Sequence, residues 1–474
     1  MMSLSTMLLL LGNAMSSLEA TQTTPVAVAV TPTTPPAFIT LDDAWRTGLL
    51  NAFSLAGARD AVRAANISEL QARSQFFPKL TPSYEHGPNA RGWSIEASQA
   101  LPYLGAVVRA ERTHRIFEGV QTFAAQTTDT SFIWSQPLLR GIGPNASLYD
   151  LRNARRSREA QERNLTLVRQ RYMVDVARVF YQTQAQRELL SVARQSAERS
   201  AALRNASEAR LEVGLSNKLD VYRAQLSESQ AEQSSVQAET SLQSALERFR
   251  FLLGRSPNDS VEPAPVEIPL PEAEDAGSLD ALVAAALETR LDLAEVRAQI
   301  DDARRTASLS RQNLLPDVSL NLRFTETRGS GPTGPIDVSN RRWETFFSAS
   351  LPLERADISQ LQLSNLDVAA RERAYEQKRY EVESEARAAH RDLISLSRSI
   401  ATQKGAVDIA EQQLRLANLR YQRGLASNFD VVDAEGNLLA ARSSLVQLLA
   451  AYQVARLDLE RVAGRLNTNP EPRP

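Results

Sequence analysis

The stretch GLASNFDVVDAEG, Gly424–Gly436, lies between two long helical patterns and carries acids at Asp430 and Asp433. A near copy, GLSNKLDVYRAQL, occurs at Gly214–Leu226 and keeps only the first acid, as Asp220. The leading glycine of each copy supplies the backbone freedom that a tight turn between helices requires. The two stretches therefore predict two helical hairpin tips and, beyond them, a chain built from two copies of one unit.

The repetition continues upstream of the tips. FFPKL at Phe76–Leu80 matches LLPDV at Leu314–Val318, and TSFIWSQPLL at Thr130–Leu139 matches TFFSASLPLE at Thr345–Glu354. Each copy therefore reads as a helix, a strand that starts at proline, a strand that ends at proline, a long helix, a glycine tip and a second long helix.

Both copies predict an antiparallel coiled-coil hairpin. In the second copy a seam of mostly apolar or small residues steps by alternating four and three positions, which is heptad spacing. A helix over residues 358–421 is roughly 95 Å long, longer than a compact globular domain needs. The seam residues are Val382, Ala386, Ala389, Leu393, Leu396, Ile400, Gln403, Val407, Ala410, Leu414, Ala417 and Tyr421.

The predicted strands are few, two in each copy. In the second copy, residues 317–329 alternate apolar with polar side chains, and residues 343–353 return after a loop. Strands of about ten residues with one apolar side, edged by Trp134 in the first copy and Trp343 in the second, fit a transmembrane barrel with interfacial aromatic residues. A soluble hairpin is the alternative. Four strands per chain leave two unpaired edges in lipid, so association of several copies is expected.

The first copy contains an insert. Between Pro78 and Pro137 the spacing is 59 residues, against 36 between Pro316 and Pro352. The alternation of the extra residues is not clear enough to predict their structure.

The composition excludes several classes of function. A formal net charge of −2 gives no reason to expect nucleic acid as a partner, and the absence of cysteine removes thiolate chemistry. The three histidines, His86, His114 and His390, are scattered, and no phosphate-binding loop occurs. We therefore expect no catalytic residues, no bound metal and no cofactor. No run of 18 apolar residues occurs, so no transmembrane helix is predicted.

The predicted organisation has five parts. A short apolar run at Leu4–Leu11 followed by GNA indicates an export signal, although no basic residue precedes Arg46; an unstructured tail is the alternative. The parts are an export signal and proline-rich leader at 1–40, a first structural repeat at 41–254, a proline-rich equatorial connector at 255–278, a second repeat at 279–464 and a tail at 465–474.

Together the twofold repeat, the proline-bounded strands, RLDLAEVRAQI before the second strand pair, and the VGLSNKLDV and RGLASNFDV tips resemble the TolC-like outer-membrane efflux channels. The resemblance covers residues 41–466. It implies a mainly α fold with a small β part: four transmembrane strands per chain form a twelve-stranded barrel in a homotrimer, and the helices form a hollow cylinder across the periplasm. It also implies an exit duct that takes substrates from an inner-membrane transporter through a periplasmic adaptor, without catalysis.

The resemblance assigns roles to residues near the tips. Asp430 and Asp433 match the acidic rings of a pore gate at the periplasmic mouth; as bare residues they are solvated acids near a helix start. Tyr421 matches a tyrosine that holds the mouth closed, and Asp220 matches its acidic partner. Ala426 replaces the arginine of that network, so the lock is expected to be weaker or to use Arg423.

The same resemblance makes the tips the docking sites of the adaptor. The residues concerned are Gly214, Leu215, Ser216, Gly424, Leu425 and Ala426. The competing class is a structural coiled-coil interaction protein without transport function. The transported substrate and the class of transporter served cannot be read from the sequence, because a passive conduit takes its specificity from its partner.

Overall fold

The computed structural model describes residues 37–88, 90–117, 126–214, 216–271, 277–331, 334–351 and 355–467. Its helices are α1 (Leu41–Asn51), α2 (Phe53–Ser74), α3 (Pro144–Ser147), α4 (Tyr149–Glu212), α5 (Lys218–Leu252), α6 (Leu279–Thr289), α7 (Leu291–Asn313), α8 (Arg355–Gln422) and α9 (Asn428–Val462). Its strands are β1 (Ala37–Ile39), β2 (Lys79–His86), β3 (Ala90–Ala100), β4 (Val107–Phe117), β5 (Gln126–Pro137), β6 (Val261–Pro263), β7 (Asp317–Gly331) and β8 (Gly334–Ser350). The predicted export signal and the end of the predicted tail lie outside the described residues.

Four long helices lie side by side in the order α5, α4, α9, α8. Helices α4 and α8 have 64 and 68 residues, which makes each about 100 Å long. Residues of the predicted seam, such as Val382, Ala386 and Leu393, are buried where α8 meets α9. The small side chains let the helix backbones approach closely, so the heptad spacing produces the hairpin it predicts.

The shorter helices repeat around this row. In the first copy α1 and α2 pack on α4, and in the second copy α6 and α7 pack on α8. The Tyr172 hydroxyl of α4 donates to the Leu252 carbonyl at 2.9 Å, and Phe180 packs against Phe249 with ring centroids 6.2 Å apart. The connector, which was expected to be irregular, contributes β6, and β6 pairs in parallel with β1.

The second sheet has six strands, in the order β2-β3-β4-β5-β7-β8. All neighbouring strands in it are antiparallel. The prediction of four strands per chain is therefore wrong, because the insert of the first copy folds into an additional hairpin, β3–β4. The charged residues Arg91 and Arg112 lie on the otherwise apolar face of this hairpin, so they interrupt its alternation and hide it in the sequence.

One face of the sheet is apolar across its middle, and the same face carries a charged row nearer the outer end, at Arg112, Glu326 and Arg341. A row of directly paired residues crosses all six strands on one face: Leu80, Ala97, Ala110, Phe132, Phe324 and Trp343. The adjacent row lies on the opposite face: Thr81, Glu96, Glu111, Ser131, Thr325 and Arg342. The first row is apolar and the second polar at every strand, which is the alternation of a sheet with one face in an apolar medium.

Helix α9 is the one described helix that is long and apolar enough, by length and composition, to cross a membrane. Its most apolar window has a mean hydropathy of 1.2, and 22% of that window is buried within the chain. Because α9 packs lengthwise on α8 and α4, the helix lies in the helical row rather than apart from it.

A network of ion pairs joins the second-copy helices near the end of α9. Arg290 lies 2.7 Å from Asp292 and 2.5 Å from Glu385, and Arg461 lies 2.8 Å from Glu385. Lys378 lies 3.1 Å from Asp292. Burial raises the pKa of Asp292, but the hydrogen bonds and charges of Arg290 and Lys378 outweigh it and lower that pKa from 3.8 to about 2.

We predict that Asp292→Asn lowers the free energy of unfolding at neutral pH by about 2 kcal/mol. A carboxyl whose folded pKa is depressed contributes stability that is present above its unfolded pKa of 3.8 and is lost as pH falls toward about 2. Chemical denaturation followed by far-UV circular dichroism checks both statements. In Asp367→Asn, which removes an exposed pair with Arg371, stability should stay unchanged. An equal loss in both variants would contradict the special role of Asp292.

Candidate functional site

Each hairpin turns at a glycine in the left-handed region. The φ angle is +75° at Gly214 and +72° at Gly424, and no described atom lies within 4 Å of a Cβ built on either glycine. Backbone conformation rather than lack of space therefore requires glycine at both tips. Immediately after the turns, Asn217 caps α5 and Ser427 caps α9.

Asp430 is part of a helix cap. Its carboxylate accepts hydrogen bonds from the Ser427 N–H at 2.8 Å and the Ser427 hydroxyl at 3.0 Å, which completes a capping box. Asp220 has the equivalent place in the first copy: its N–H donates to the Asn217 side chain at 2.9 Å, and its carboxylate accepts from the Ser216 hydroxyl at 3.3 Å. The acid that both copies keep is therefore the third residue of a helix start.

Asp433 has a different environment, one turn further along α9. It is exposed, and its carboxylate accepts a hydrogen bond from the Asn437 amide at 3.2 Å. In the first copy Arg223 stands at the corresponding position and lies 3.8 Å from Asp220. An exposed carboxylate at this level is therefore a property of the second hairpin, and the two predicted gate acids differ in their local roles.

A buried hydrogen-bonded cluster joins the two hairpins close to the tips. The Ser207 hydroxyl of α4 donates to the Leu203 carbonyl at 2.8 Å. Since a serine hydroxyl has one proton, Tyr421 and Asn428 must donate to Ser207, at 3.0 and 3.2 Å. Asn428 also donates to the backbone carbonyl of Asp220 at 2.7 Å. We call Ser207, Tyr421 and Asn428 the cross-hairpin cluster; it ties α8 and α9 to α4 and α5.

Tyr421 has a different partner from the one predicted. The resemblance implies Asp220 as its acidic partner, and the structure places both residues at the same interface. The carboxylate of Asp220, however, contacts Ser216 and Arg223, because the capping geometry at the start of α5 directs it there. Asp220 takes part in the cluster through its backbone carbonyl, and Ser207 receives the tyrosine proton.

An arginine of the first hairpin covers Tyr421. The Arg210 guanidinium lies 4.3 Å from the centroid of the tyrosine ring, and it donates to the Gln422 carbonyl at 2.8 Å. Ala426, where the resemblance places an arginine, is half-buried, and Arg423 is exposed. The arginine at this contact therefore comes from α4 and not from the tip of the second hairpin.

A second arginine contact lies further from the tips. Arg199 Nε of α4 donates to both carboxylate oxygens of Glu435 at 2.9 Å, and the Glu435 side chain is 9% exposed. Sequence reasoning missed Ser207, Asn428, Arg199, Arg210 and Glu435. One signal was available, since Glu435 directly follows the seam residue Ala434 and a buried acid needs a cation; its partner, however, depends on which helices are neighbours.

The predicted docking residues lie on the exposed ends of the hairpins. Leu425 is 75% exposed, Gly214 and Gly424 are exposed, and Ser216 and Ala426 are half-buried. Leu215 lies outside the described residues. An exposed leucine at the tip of a long hairpin offers apolar surface to a partner, at a place where it contributes nothing to the hairpin core.

The predicted interface aromatics lie on the apolar face of the sheet. Trp134 is paired with Val108 and Leu322, and Trp343 with Phe324, with ring centroids 4.8 Å apart. The structure adds Trp93 of β3 to the same face, an aromatic residue that the sequence analysis did not single out.

The described residues contain no group of three or more His, Asp or Glu side chains placed to hold a metal ion. The polar side chains described above at the tips take part in helix caps, an ion pair and contacts between helices. The arrangement is suited to holding two hairpins together around exposed charge.

Comparison with known proteins agrees with this geometry. The chain is 24% identical over 334 residues to the cobalt-zinc-cadmium resistance protein CzcC of Cupriavidus metallidurans, covering 66% of this chain and 72% of CzcC. It is 26% identical over 177 residues to the cation efflux system protein CusC of Escherichia coli, covering 37% and 38% of the two chains. The solved structure of the outer membrane protein VceC of Vibrio cholerae superposes with a TM-score of 0.69 at 17% identity, over 90% of this chain and 96% of VceC.

The similarity to VceC concerns the fold, and the family follows from the sequence. The sequence model of the outer membrane efflux protein family matches residues 46–255 and 282–465, which include both helical hairpins and both tips. The chain belongs to the outer membrane efflux protein family.

Proposed function

We propose that three copies of this chain form the exit duct of a tripartite efflux system, in which the sheets cross the outer membrane and the helices extend into the periplasm. Family membership supports the channel function and its location. The assembly is inferred from the uncovered ends of the helical row and of the sheet. In the described part of the chain, the helical row ends at α5 and α8, and the six-stranded sheet ends at β2 and β8.

Both ends of the helical row expose apolar side chains at helical spacing. On α5 these are Leu219, Tyr222 and Leu226, and on α8 they are Ile409, Leu416 and Leu419. Two different surfaces of one chain that cover each other in neighbouring copies make a head-to-tail contact, and such a contact forms a ring when the rotation between copies closes. We take the number three from the resemblance to the TolC-like channels.

In this assembly the tips form the periplasmic mouth. The exposed tip residues Leu425, Gly424 and Gly214 and the half-buried Ser216 are the proposed contacts of a periplasmic adaptor, which connects the duct to an inner-membrane transporter. The duct catalyses no reaction; its residues shape and gate a path. A structural coiled-coil protein without transport is the alternative, and a water-filled pore distinguishes the two.

The assembly is tested by expression with an export signal and separation of the membranes. We expect the protein in the outer membrane fraction, as a trimer in detergent that heating converts to monomer, and we expect ion-conducting pores in planar lipid bilayers. A monomer that stays soluble without detergent and forms no pores would contradict the proposal.

We propose metal cations as the transported class. CzcC and CusC are a cobalt-zinc-cadmium resistance protein and a cation efflux protein by name. The exposed Asp433, repeated around a threefold mouth, attracts cations to the entrance. In a resistant host, deletion of the gene should lower tolerance of cobalt, zinc or cadmium salts and leave tolerance of organic antibiotics unchanged. The opposite pattern would reject this substrate class.

We predict that mutations of the two gate acids have different effects, one on ion selectivity and the other on stability. Asp433→Asn should shift the reversal potential in a zinc chloride gradient toward that of chloride and leave thermal stability unchanged, because it removes an exposed charge. Asp430→Asn should lower stability by about 1 kcal/mol, since it weakens the capping box. Planar-bilayer recordings and thermal unfolding in detergent measure both effects. Equal selectivity of the wild type and Asp433→Asn would show that Asp433 is only a solvated acid.

We predict that the cross-hairpin cluster holds the mouth in its narrow state. Tyr421→Phe removes the hydrogen bond to Ser207, a loss of about 1 kcal/mol, and should raise the open population of each copy about fivefold. Tyr380→Phe, which changes an exposed tyrosine of α8 away from the tip, is the matched control and should conduct as the wild type does. Single-channel recording provides the measurement. If both variants conduct equally, the cluster stabilises the hairpins without gating them.

A further inference from the structure

The inserted hairpin β3–β4 is an integral part of the sheet and not a loop above it. β3 pairs with β2 from Arg91 to Ser98, and it pairs with β4 along its whole length, from Ala90 to Ala100. β4 pairs in turn with β5 from Val107 to Ile116. Strands of 11 residues, such as β3 and β4, are long enough to cross a membrane when tilted.

The turn between β3 and β4 lies at the helical end of the sheet. The Leu101 N–H donates to the Ala106 carbonyl at 2.7 Å, and the Gln136 amide at the end of β5 donates to the Leu104 carbonyl at 3.0 Å. Gly105 has φ of +72°, and a Cβ on it would collide with the carbonyl oxygen of Gly141. The hairpin therefore runs the full height of the sheet and returns to the point where the helices begin.

The hairpin continues both faces of the sheet. Trp93 of β3 contacts His114 of β4 on the apolar face, with ring centroids 5.9 Å apart. On the polar face Arg109 of β4 lies 2.8 Å from Glu96 of β3, and Ser83 of β2 shares a hydrogen bond with Ser94 at 2.7 Å. A hairpin that lay outside the membrane would have no reason to present alternating apolar and polar rows in register with its neighbours.

We propose that β2 of one copy pairs with β8 of the next, so that the membrane barrel of the trimer has eighteen strands, six from each chain. This inference rests on the proposed trimer. Because the sheet has six antiparallel strands, β2 and β8 run in opposite directions. The pairing of β2 with β8 of the next copy is therefore antiparallel, and it satisfies the backbone groups of both edges. Leaving β2 and β3 outside a smaller barrel would expose those groups and the apolar face of Leu80, Tyr84 and Trp93.

The consequence is a wide membrane section. Barrel diameter grows roughly linearly with strand number, so eighteen strands give about one and a half times the diameter of twelve and a lumen wide enough for an aqueous channel. The extra hairpin lies within the sheet and contributes no residue to the four long helices. The inference therefore places selection and gating at the tips and leaves the membrane section as an unrestrictive outlet.

The chain contains no cysteine, so pairs of introduced cysteines report single contacts. Ser83→Cys, on the polar face of β2, is combined in turn with one cysteine on the polar face of β8. The β8 positions are Asn340, Arg342, Glu344, Phe346 and Ser348. A parallel series combines Thr113→Cys of β4 with the same positions. Ser83→Cys with Ser94→Cys, a directly paired position, is the control for oxidation within one chain.

We expect oxidation in outer membranes to give disulfide-linked dimers and trimers in the Ser83 series, at one position of β8 and its immediate neighbours. Linked chains in the Thr113 series instead would show that β4 forms the junction and the barrel has twelve strands, which overturns the inference. Trimers that link in neither series overturn it as well. A protein that forms no trimer before oxidation would instead contradict the proposed function, so the two failures are distinguishable.

Discussion

The helical row and the six-stranded sheet each have two ends that no further element covers in the described part of the chain. The rest of the organisation depends on that constraint. In the described residues, β2 and β8 each have one neighbour in the sheet, and α5 and α8 are the outer members of the helical row. Unpaired strand edges cannot remain in lipid, and exposed apolar stripes are unfavourable in water. A ring of copies resolves both at once, because the same head-to-tail relation covers the sheet edges and the helix faces.

The two copies of the repeat share a scaffold and differ in charge. Each tip has a left-handed glycine, a capping residue and an acid in the first turn of the next helix. One turn later the first copy has Arg223 and the second has Asp433. Because the cap needs only the first acid, the repeat can keep the turn and change the charge that the tip presents.

The contact between the hairpins uses polar groups of the first copy to hold the second. Ser207, Arg210 and Arg199 all come from α4, and they bind Tyr421, the Gln422 carbonyl and Glu435 on the second hairpin. Hydrogen bonds that satisfy buried groups are directional, so they define one relative position of the hairpins, whereas a seam of small apolar residues allows the helices to slide. When the mouth changes width, these hydrogen bonds between the hairpins must break and be replaced by others.

The sequence by itself determined the local structure: the twofold repeat, the heptad seams, the glycine turns and the one-sided strands of the second copy. These follow from spacing along the chain, which sets the face on which each side chain lies. Only the tertiary structure decided the number of strands, because β3–β4 is stabilised by neighbours on both sides and its own alternation is broken by charges. It also decided the partner of Tyr421, since Ser207 lies 214 residues away and no local pattern marks a serine that faces another hairpin.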